Sequence, residues 1–264
     1  MYAFNYHKPA TLEQAKSLYA DCEDPYFIAG GHTLLPTMKQ RLVSPTDLID
    51  LAGIEDLVGI SIDGDELVIG AMTTHGEVAA SSMVADFSSG LAQLAAKIGD
   101  TQVRYRGTIG GSVANNDPSA DYPAGLLGSG ATIVTDQRQI AADDFFVDLF
   151  ETALQEGEMI RSVRFPGVSR SAYQKFDNPA SRYAIVGVFV SEGNGEVRVA
   201  VTGAGASVFR NSDMEQALAG DFSASALNSI NVLPDEFNSD LHASPAYRAA
   251  LVKEMAKRAV ASIQ

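Results

Sequence analysis

Cysteine is almost missing, with Cys22 the sole example in 264 residues. That excludes a disulfide within the chain, and it excludes an iron–sulfur cluster held by four cysteines of this chain. Long apolar runs are missing too. Nothing approaches the roughly 20 residues that a membrane-spanning helix needs. The opening Met1-Tyr2-Ala3-Phe4-Asn5-Tyr6 does not read as a secretion signal. Basic residues are scarce: 19 Lys and Arg stand against 33 Asp and Glu, for a formal net charge of -14. Such a surface repels phosphate backbones, so nucleic acid is not an expected partner. The plain use of the charge is solubility. His7, His75 and His242 are scattered along the chain, so no metal site is expected. Neither the Gly-x-Gly-x-x-Gly pattern of dinucleotide folds nor a Walker lysine motif occurs. Together these readings point to a cytoplasmic protein, or to the cytoplasmic side of a larger assembly.

What is present is an ordinary globular composition, 46% hydrophobic and 20% charged, enough for one large or two modest domains. The stretch Gly107-Thr108-Ile109-Gly110-Gly111-Ser112 stands out. Glycine lets backbone lie close against a ligand. Consecutive main-chain N–H groups in such a turn make a concave anion site, to which Thr108 and Ser112 add hydroxyl donors. Asn115-Asn116-Asp117-Pro118 reads as a second turn. Asp121 precedes an apolar Tyr122-Pro123-Ala124 run where a helix can begin. A related design occurs earlier in Ile28-Ala29-Gly30-Gly31-His32-Thr33-Leu34-Leu35-Pro36. It has an apolar strand end, a glycine pair, a hydroxyl and a helix start. A strand, a glycine turn and a helix N-terminus make a site for phosphate. Two such turns suit the two ends of a pyrophosphate.

Along the chain, Thr11-Leu12-Glu13-Gln14 has capping-box spacing, and Leu12, Ala15, Leu18, Tyr19 and Cys22 share a helical face. Cys22 is read as core. Pro25 to Ala29 reads as a strand, residues 33–42 as a helix capped by Thr33, and Asp47 to Leu51 as a strand, giving a β-α-β unit. Leu57 to Ile62 and Glu66 to Gly70 flank Asp63-Gly64-Asp65 as a hairpin. Thr74-His75-Gly76-Glu77 caps a short helix, Phe87 to Ile98 reads as helical, and 131–134 and 159–165 as strands. Beyond Pro166-Gly167, the segments 172–176, 183–190 and 196–202 read as antiparallel strands. Residues 213–218 and 244–263 read as helices, with a polar surface loop over 221–243.

The two glycine motifs, in this order and spacing, closely resemble those of the FAD-binding medium subunit of molybdenum hydroxylases. That family includes carbon monoxide dehydrogenase medium subunits and the FAD domain of xanthine dehydrogenases. Asp117-Pro118, Ala120-Asp121-Tyr122-Pro123-Ala124, the opening Phe4-x-Tyr6-x-x-Pro9-x-x-Leu12 and the strand Ile160-x-x-Val163-x-Phe165-Pro166 carry the resemblance across nearly the whole chain. It implies an α+β protein. A two-subdomain FAD-binding fold of the PCMH type over 1–167, divided near 55, would precede a C-terminal domain over 168–264 with a three-stranded antiparallel sheet and helices.

By the same resemblance, Ala29, Gly30, Gly31, His32 and Thr33, with Thr108, Ile109, Gly110, Gly111 and Ser112, hold the FAD diphosphate. Asp121 contacts the polar chain or the adenosine side. Ile98 and Ile160 give apolar contacts, and Lys175 lies near the flavin. Arg104 and Arg106 either pair with the diphosphate or brace the protein. Asn115-Asn116 and Tyr105 depart from common family residues at positions beside the cofactor. No catalytic residue and no metal ligand is expected in this chain. The implied role is an electron-transfer flavoprotein subunit. Its expected partners are a large molybdenum-cofactor subunit and a small [2Fe–2S] subunit, assembled as a dimer of heterotrimers. Two other readings stay open on the residues alone: a self-contained FAD-dependent reductase or oxidase, and a non-catalytic assembly protein of the same fold.

Overall fold

The computed structural model describes residues 1–263. The chain opens with β1 (Asn5–His7), α1 (Leu12–Asp21), β2 (Pro25–Ile28), α2 (Leu34–Lys39) and β3 (Asp47–Asp50). The strands form a parallel sheet in the order β1-β3-β2, with Tyr6 and Tyr26 both opposite Leu48. Thr11 caps α1 by accepting from the Gln14 N–H, while Gln14 Oε1 reaches back to the N–H of Ala10 rather than of Thr11. Leu12, Ala15, Ile49, Leu51, Ile54 and Leu57 make the core of this lobe.

Two expectations need correction here. The helix after the first glycine turn stops at Lys39, because Arg41 takes a left-handed φ of 60° and leaves Leu42 71% exposed. Cys22 lies outside the apolar cluster, half-buried as the C-cap of α1.

The middle of the chain contributes β4 (Ile60–Asp63), β5 (Glu66–Gly70), α3 (His75–Ala80), α4 (Ser82–Phe87), α5 (Ser89–Ala96), α6 (Thr101–Arg106), α7 (Ile109–Asn115), α8 (Tyr122–Ser129), β6 (Thr132–Thr135), β7 (Gln139–Ala141), α9 (Ala142–Phe145), β8 (Phe146–Asp148), β9 (Glu151–Thr152) and β10 (Ile160–Pro166). Five of these strands form an antiparallel sheet in the order β4-β5-β10-β6-β7. The capping box forms in full: Thr74 Oγ1 accepts from Glu77 N–H, and Glu77 Oε2 accepts from Thr74 N–H. The expected helix over 87–98 starts two residues later, since Phe87 ends α4 and Ser88 breaks the run with extended backbone. The strand expected from Leu57 starts only at Ile60, because Leu57 ends a helical turn over Glu55–Leu57 and Gly59 kinks the chain with a φ of 127°. A core of Leu67, Ile69, Leu91, Leu94, Tyr122, Ile133, Val163 and Phe165, all buried, joins sheet to helices.

Then come β11 (Arg170–Asp177), β12 (Ala184–Gly193), β13 (Glu196–Thr202), β14 (Phe209–Arg210), α10 (Ser212–Gly220) and α11 (Pro245–Ile263). The expected three strands are present, and the two-residue β14 adds an edge to give the order β11-β12-β13-β14. Strand β12 is buried on both faces. Phe189 packs with the middle core, against Gly128 of α8, while Val188 and Val190 join Val252, Met255 and Ala259 of α11. Alternate residues of a strand point to opposite faces, so one strand serves two cores. Each large apolar side chain buried this way contributes about 1.5–3 kcal/mol. On α11 the four-residue spacing holds for Leu251, Met255 and Ala259, but Tyr247 stays 44% exposed.

Candidate functional site

The two glycine turns meet. A Cβ on Gly30 would lie 2.3 Å from the carbonyl oxygen of Arg106 and 2.8 Å from Cα of Gly107. Only a residue without a Cβ permits two backbones this close. Across the same seam, a Cβ on Gly111 would sit 3.4 Å from Cβ of Ala29. Gly31 has a φ of 72°, a left-handed conformation that turns the chain from β2 towards α2. The seam floors a cleft of about 630 Å³ between the N-terminal lobe and the middle helices. That volume falls within the range of small-molecule and cofactor sites, about 300–1,000 Å³.

The turns differ in what they offer. The second is the start of helix α7, whose first donors are already used. Ile109 N–H donates to Thr73 carbonyl, Gly110 N–H to Ala71 carbonyl, and Gly111 N–H to Thr108 Oγ1. The first turn keeps its donors. Among the described residues, the N–H groups of Gly30, Gly31, His32 and Thr33 find no acceptor on the backbone, and Thr33 makes no capping bond with its side chain. An anion in this cleft therefore finds free main-chain donors on the first turn, and close backbone approach with the Ser112 side chain on the second.

Most expected site residues line this one cleft: Ala29, Gly30, Gly31, His32 and Thr33 on one side, Thr108, Gly110, Gly111 and Ser112 on another, with Ile98, Ile160 and Asp121 around it. Two do not line it. Ile109 is fully buried in the middle core. Lys175 points away, its side chain 3% exposed, bridging Asp121 at 3.0 Å and donating to the carbonyls of Lys97 and Arg182 at 2.8 and 2.9 Å. Asp121 precedes α8 but does not cap it. Its carboxylate accepts from Tyr173 Oη at 2.5 Å and from Lys175. Burial pushes this carboxyl upward, and Lys175 and Tyr173 oppose the push. The network ties strand β11 to the wall of the cleft.

The remaining residues that were singled out sort by geometry. Arg104 braces the cleft rim by donating to the carbonyls of Ile98 and Gly99 at 2.9 and 3.1 Å. Tyr105 is 78% exposed and does not line the cleft. Asn115 lines it, whereas Asn116 is buried, adopts a left-handed φ of 42° as the C-cap of α7, and donates to the carbonyls of Asp148 and Glu151. Asn116 thus ties down the β8–β9 hairpin rather than facing the cleft. Three contributors escaped sequence reasoning. His75, at the start of α3, lies against Gly107 and the ring of Tyr122, with Nδ1 buried and unpartnered. Burial lowers its pKa to about 4, with His32 and Arg104 adding to the effect, so the ring is neutral at pH 7. Arg182, with a left-handed φ of 62°, and Tyr183 close the cleft from the loop between β11 and β12. The capping box located His75 on a helix start but carried no signal that this start faces a cleft.

The family described as the FAD binding domain in molybdopterin dehydrogenase matches residues 2–168. The chain belongs to this family of FAD-binding molybdopterin dehydrogenase proteins. The carbon monoxide dehydrogenase medium chain of Hydrogenophaga pseudoflava is 33% identical, with 97% of this chain and 96% of that relative covered. The nicotine 6-hydroxylase medium subunit of Paenarthrobacter nicotinovorans is also 33% identical, covering 98% of this chain and 96% of its own length. In structure, the chain resembles reconstituted carbon monoxide dehydrogenase from Oligotropha carboxidovorans with a TM-score of 0.91 at 31% identity, over 99% of this chain and 98% of that one. As a member of the FAD-binding family, the chain is an oxidoreductase component. Its cleft fits such a group on its own evidence: free donors on the first turn, a backbone seam that no Cβ can enter, and apolar walls such as Ile98 and Ile160.

Proposed function

We propose that this chain is the FAD-carrying electron-transfer subunit of a heteromeric molybdenum hydroxylase. It takes electrons from [2Fe–2S] clusters of a small partner subunit, which receives them from a large molybdenum-cofactor subunit, and passes them to a terminal acceptor. Partner subunits of these two kinds, grouped as a dimer of heterotrimers, belong to the same reading, as does a cytoplasmic location. Among the described residues no helix is long and apolar enough to cross a membrane. In this role residues 1–167, divided near 55, are the FAD-binding part and 168–264 the C-terminal domain.

The observation that carries the proposal is the backbone seam between the two glycine turns at the floor of one cleft. When bound, FAD supplies the two-electron and one-electron redox chemistry. The protein supplies position and environment. Main-chain N–H groups of Gly30 to Thr33 bind the diphosphate without bringing a cation. Thr108 and Ser112 add hydroxyls on the opposite wall, Gly111 keeps that wall low beside Ala29, and Gly110 lets α7 pack against Ala71. Ile98 and Ile160 give the cleft an apolar wall that excludes water. Asp121, held by Lys175 and Tyr173, fixes the start of α8 and, through the Lys175 bond to Arg182 carbonyl, the loop carrying Tyr183. No side chain of this chain needs to act as acid, base or nucleophile.

The test is reconstitution and partner capture. The full chain, stripped and titrated with FAD, is expected to bind one equivalent with a flavin spectrum and a raised melting temperature. Isolated from its native source, it is expected to co-elute with an iron–sulfur chain and a molybdenum-containing chain. A chain that stays colourless after added FAD, with an unmoved melting temperature, would overturn the cofactor assignment. A flavin-loaded chain that reduces or oxidises substrates alone, with no co-eluting partners, would overturn the subunit role in favour of a self-contained reductase.

A further inference from the structure

We infer that the edge of the N-terminal sheet carries a second site, for a divalent cation of the zinc class, built from His7, Cys22 and Asp47. This inference does not rest on the flavin reading. The three residues are far apart in sequence and come from the end of β1, the C-cap of α1 and the start of β3. The fold brings one ligand atom from each within 4.8 Å of the others. The parallel register sets Asn5 opposite Asp47, so Asn5 and His7, which share one face of β1, both reach the same carboxylate oxygen, at 3.0 and 2.8 Å. The Cys22 sulfur lies within 4.8 Å of both the His7 nitrogen and the Asp47 carboxylate.

The donor set is chemically selective. An imidazole nitrogen, a thiolate and a carboxylate are the mixed N, S and O ligands of zinc, with metal–ligand distances of about 2.0–2.3 Å. Around one tetrahedral ion such ligand atoms stand about 3.4–3.6 Å apart, as follows from those bond lengths. The His7–Asp47 pair opens slightly and the thiol closes in, within the reach of side-chain rotation. Charge closes as well: a divalent ion, one thiolate and one carboxylate sum to zero around a neutral imidazole, which suits a partly buried position. The thiol proton passes to solvent on binding. Three protein ligands leave a fourth position. His7 borders a recess lined also by Lys8, Gln14 and Ser17.

The experiment uses the full chain, with Zn²⁺ in calorimetry and Co²⁺ as the spectroscopic probe. Expected are one Zn²⁺ per chain, a raised melting temperature, and a thiolate-to-cobalt charge-transfer band in the Co²⁺ difference spectrum. Cys22→Ala and His7→Gln are each expected to weaken binding at least about tenfold, the scale on which even outer partners of a metal act. Cys22→Ala also removes the charge-transfer band. Far-UV circular dichroism and FAD uptake check that both variants remain folded. Absence of the charge-transfer band from the parent chain, or equal Zn²⁺ affinity in parent and Cys22→Ala, overturns the site.

Discussion

Replacing Gly30 by alanine tests the seam directly. The added Cβ would meet Arg106 carbonyl oxygen at 2.3 Å, Gly107 Cα at 2.8 Å and Arg106 carbonyl carbon at 2.9 Å. All three are backbone atoms, so no rotamer change relieves the contact. Ordinary van der Waals contacts of a Cβ lie at 3.4–4 Å, so the two turns must part by about 1 Å. Overpacking of this kind costs about 1–3 kcal/mol. Where the turns part only in the variant's bound state, the cost appears as weaker FAD binding, about 5–150-fold at 1.4 kcal/mol per tenfold. Where they part in both states, it appears as a lowered melting temperature. Fluorescence titration of FAD together with thermal denaturation captures either route. Gly220→Ala is the control, because a Cβ there meets nothing within 4 Å, and its position in α10 makes it neutral or mildly stabilising. If Gly30→Ala bound FAD within about twofold of the parent and melted at the same temperature, the close approach of the turns would not be what shapes the site.

Three further substitutions have signed outcomes. His75 has its pKa lowered by burial to about 4, against about 6.5 when unfolded. The unfolded chain therefore binds more protons between those values, and stability falls as pH drops from about 6.5 to about 4, by up to about 3 kcal/mol. Urea denaturation across that window should show a shallower loss for His75→Phe. Lys175→Met leaves the Asp121 carboxylate buried without its cation, at a cost of about 3–5 kcal/mol. The burial-raised carboxyl regains its proton as pH falls, so the deficit shrinks in acid, and adding Asp121→Asn recovers much of it in denaturant titrations. Asn116→Ala strains a left-handed residue and strips the donors from the carbonyls of Asp148 and Glu151. The expected loss is about 2 kcal/mol or more, and Asn116→Gly should recover only the conformational share when their melting curves are compared.

What the sequence exposes is local. The capping box at Thr74, the hairpin around Gly64 and the three long strands after Pro166 each rest on residues within a few positions of one another, and each forms. What it conceals is long-range. The Asp121–Lys175 pair spans 54 positions, and neither residue type at either place announces the other. Leu42 fits the apolar stripe of α2 on paper, yet the left-handed turn at Arg41 ends that helix first. His7, Cys22 and Asp47 are unremarkable in the chain because their meeting depends on the parallel pairing of β1 with β3.

The two glycine turns show the same limit within a single site. By composition they are near equals: each has a glycine pair, a hydroxyl residue and a following helix. Their hydrogen bonding separates them. The first donors of α7 are consumed because the chain just before α3 passes beside them and presents the carbonyls of Ala71 and Thr73. The Arg106–Gly107 backbone lies close against Gly30 without accepting from it. Among the described residues no main-chain carbonyl takes the N–H groups of Gly30 to Thr33, so they remain available to a ligand. An unpaired main-chain donor withdrawn from water costs free energy comparable to a lost hydrogen bond. In a cleft that a cofactor closes to water, the first turn therefore gains most from an anionic oxygen. The second turn does different work: it supplies the low wall and packs α7 against Ala71, where Gly110 has no room for a Cβ. Binding and close approach are thus divided between two motifs of nearly the same composition, and the division is set by tertiary neighbours that lie outside both.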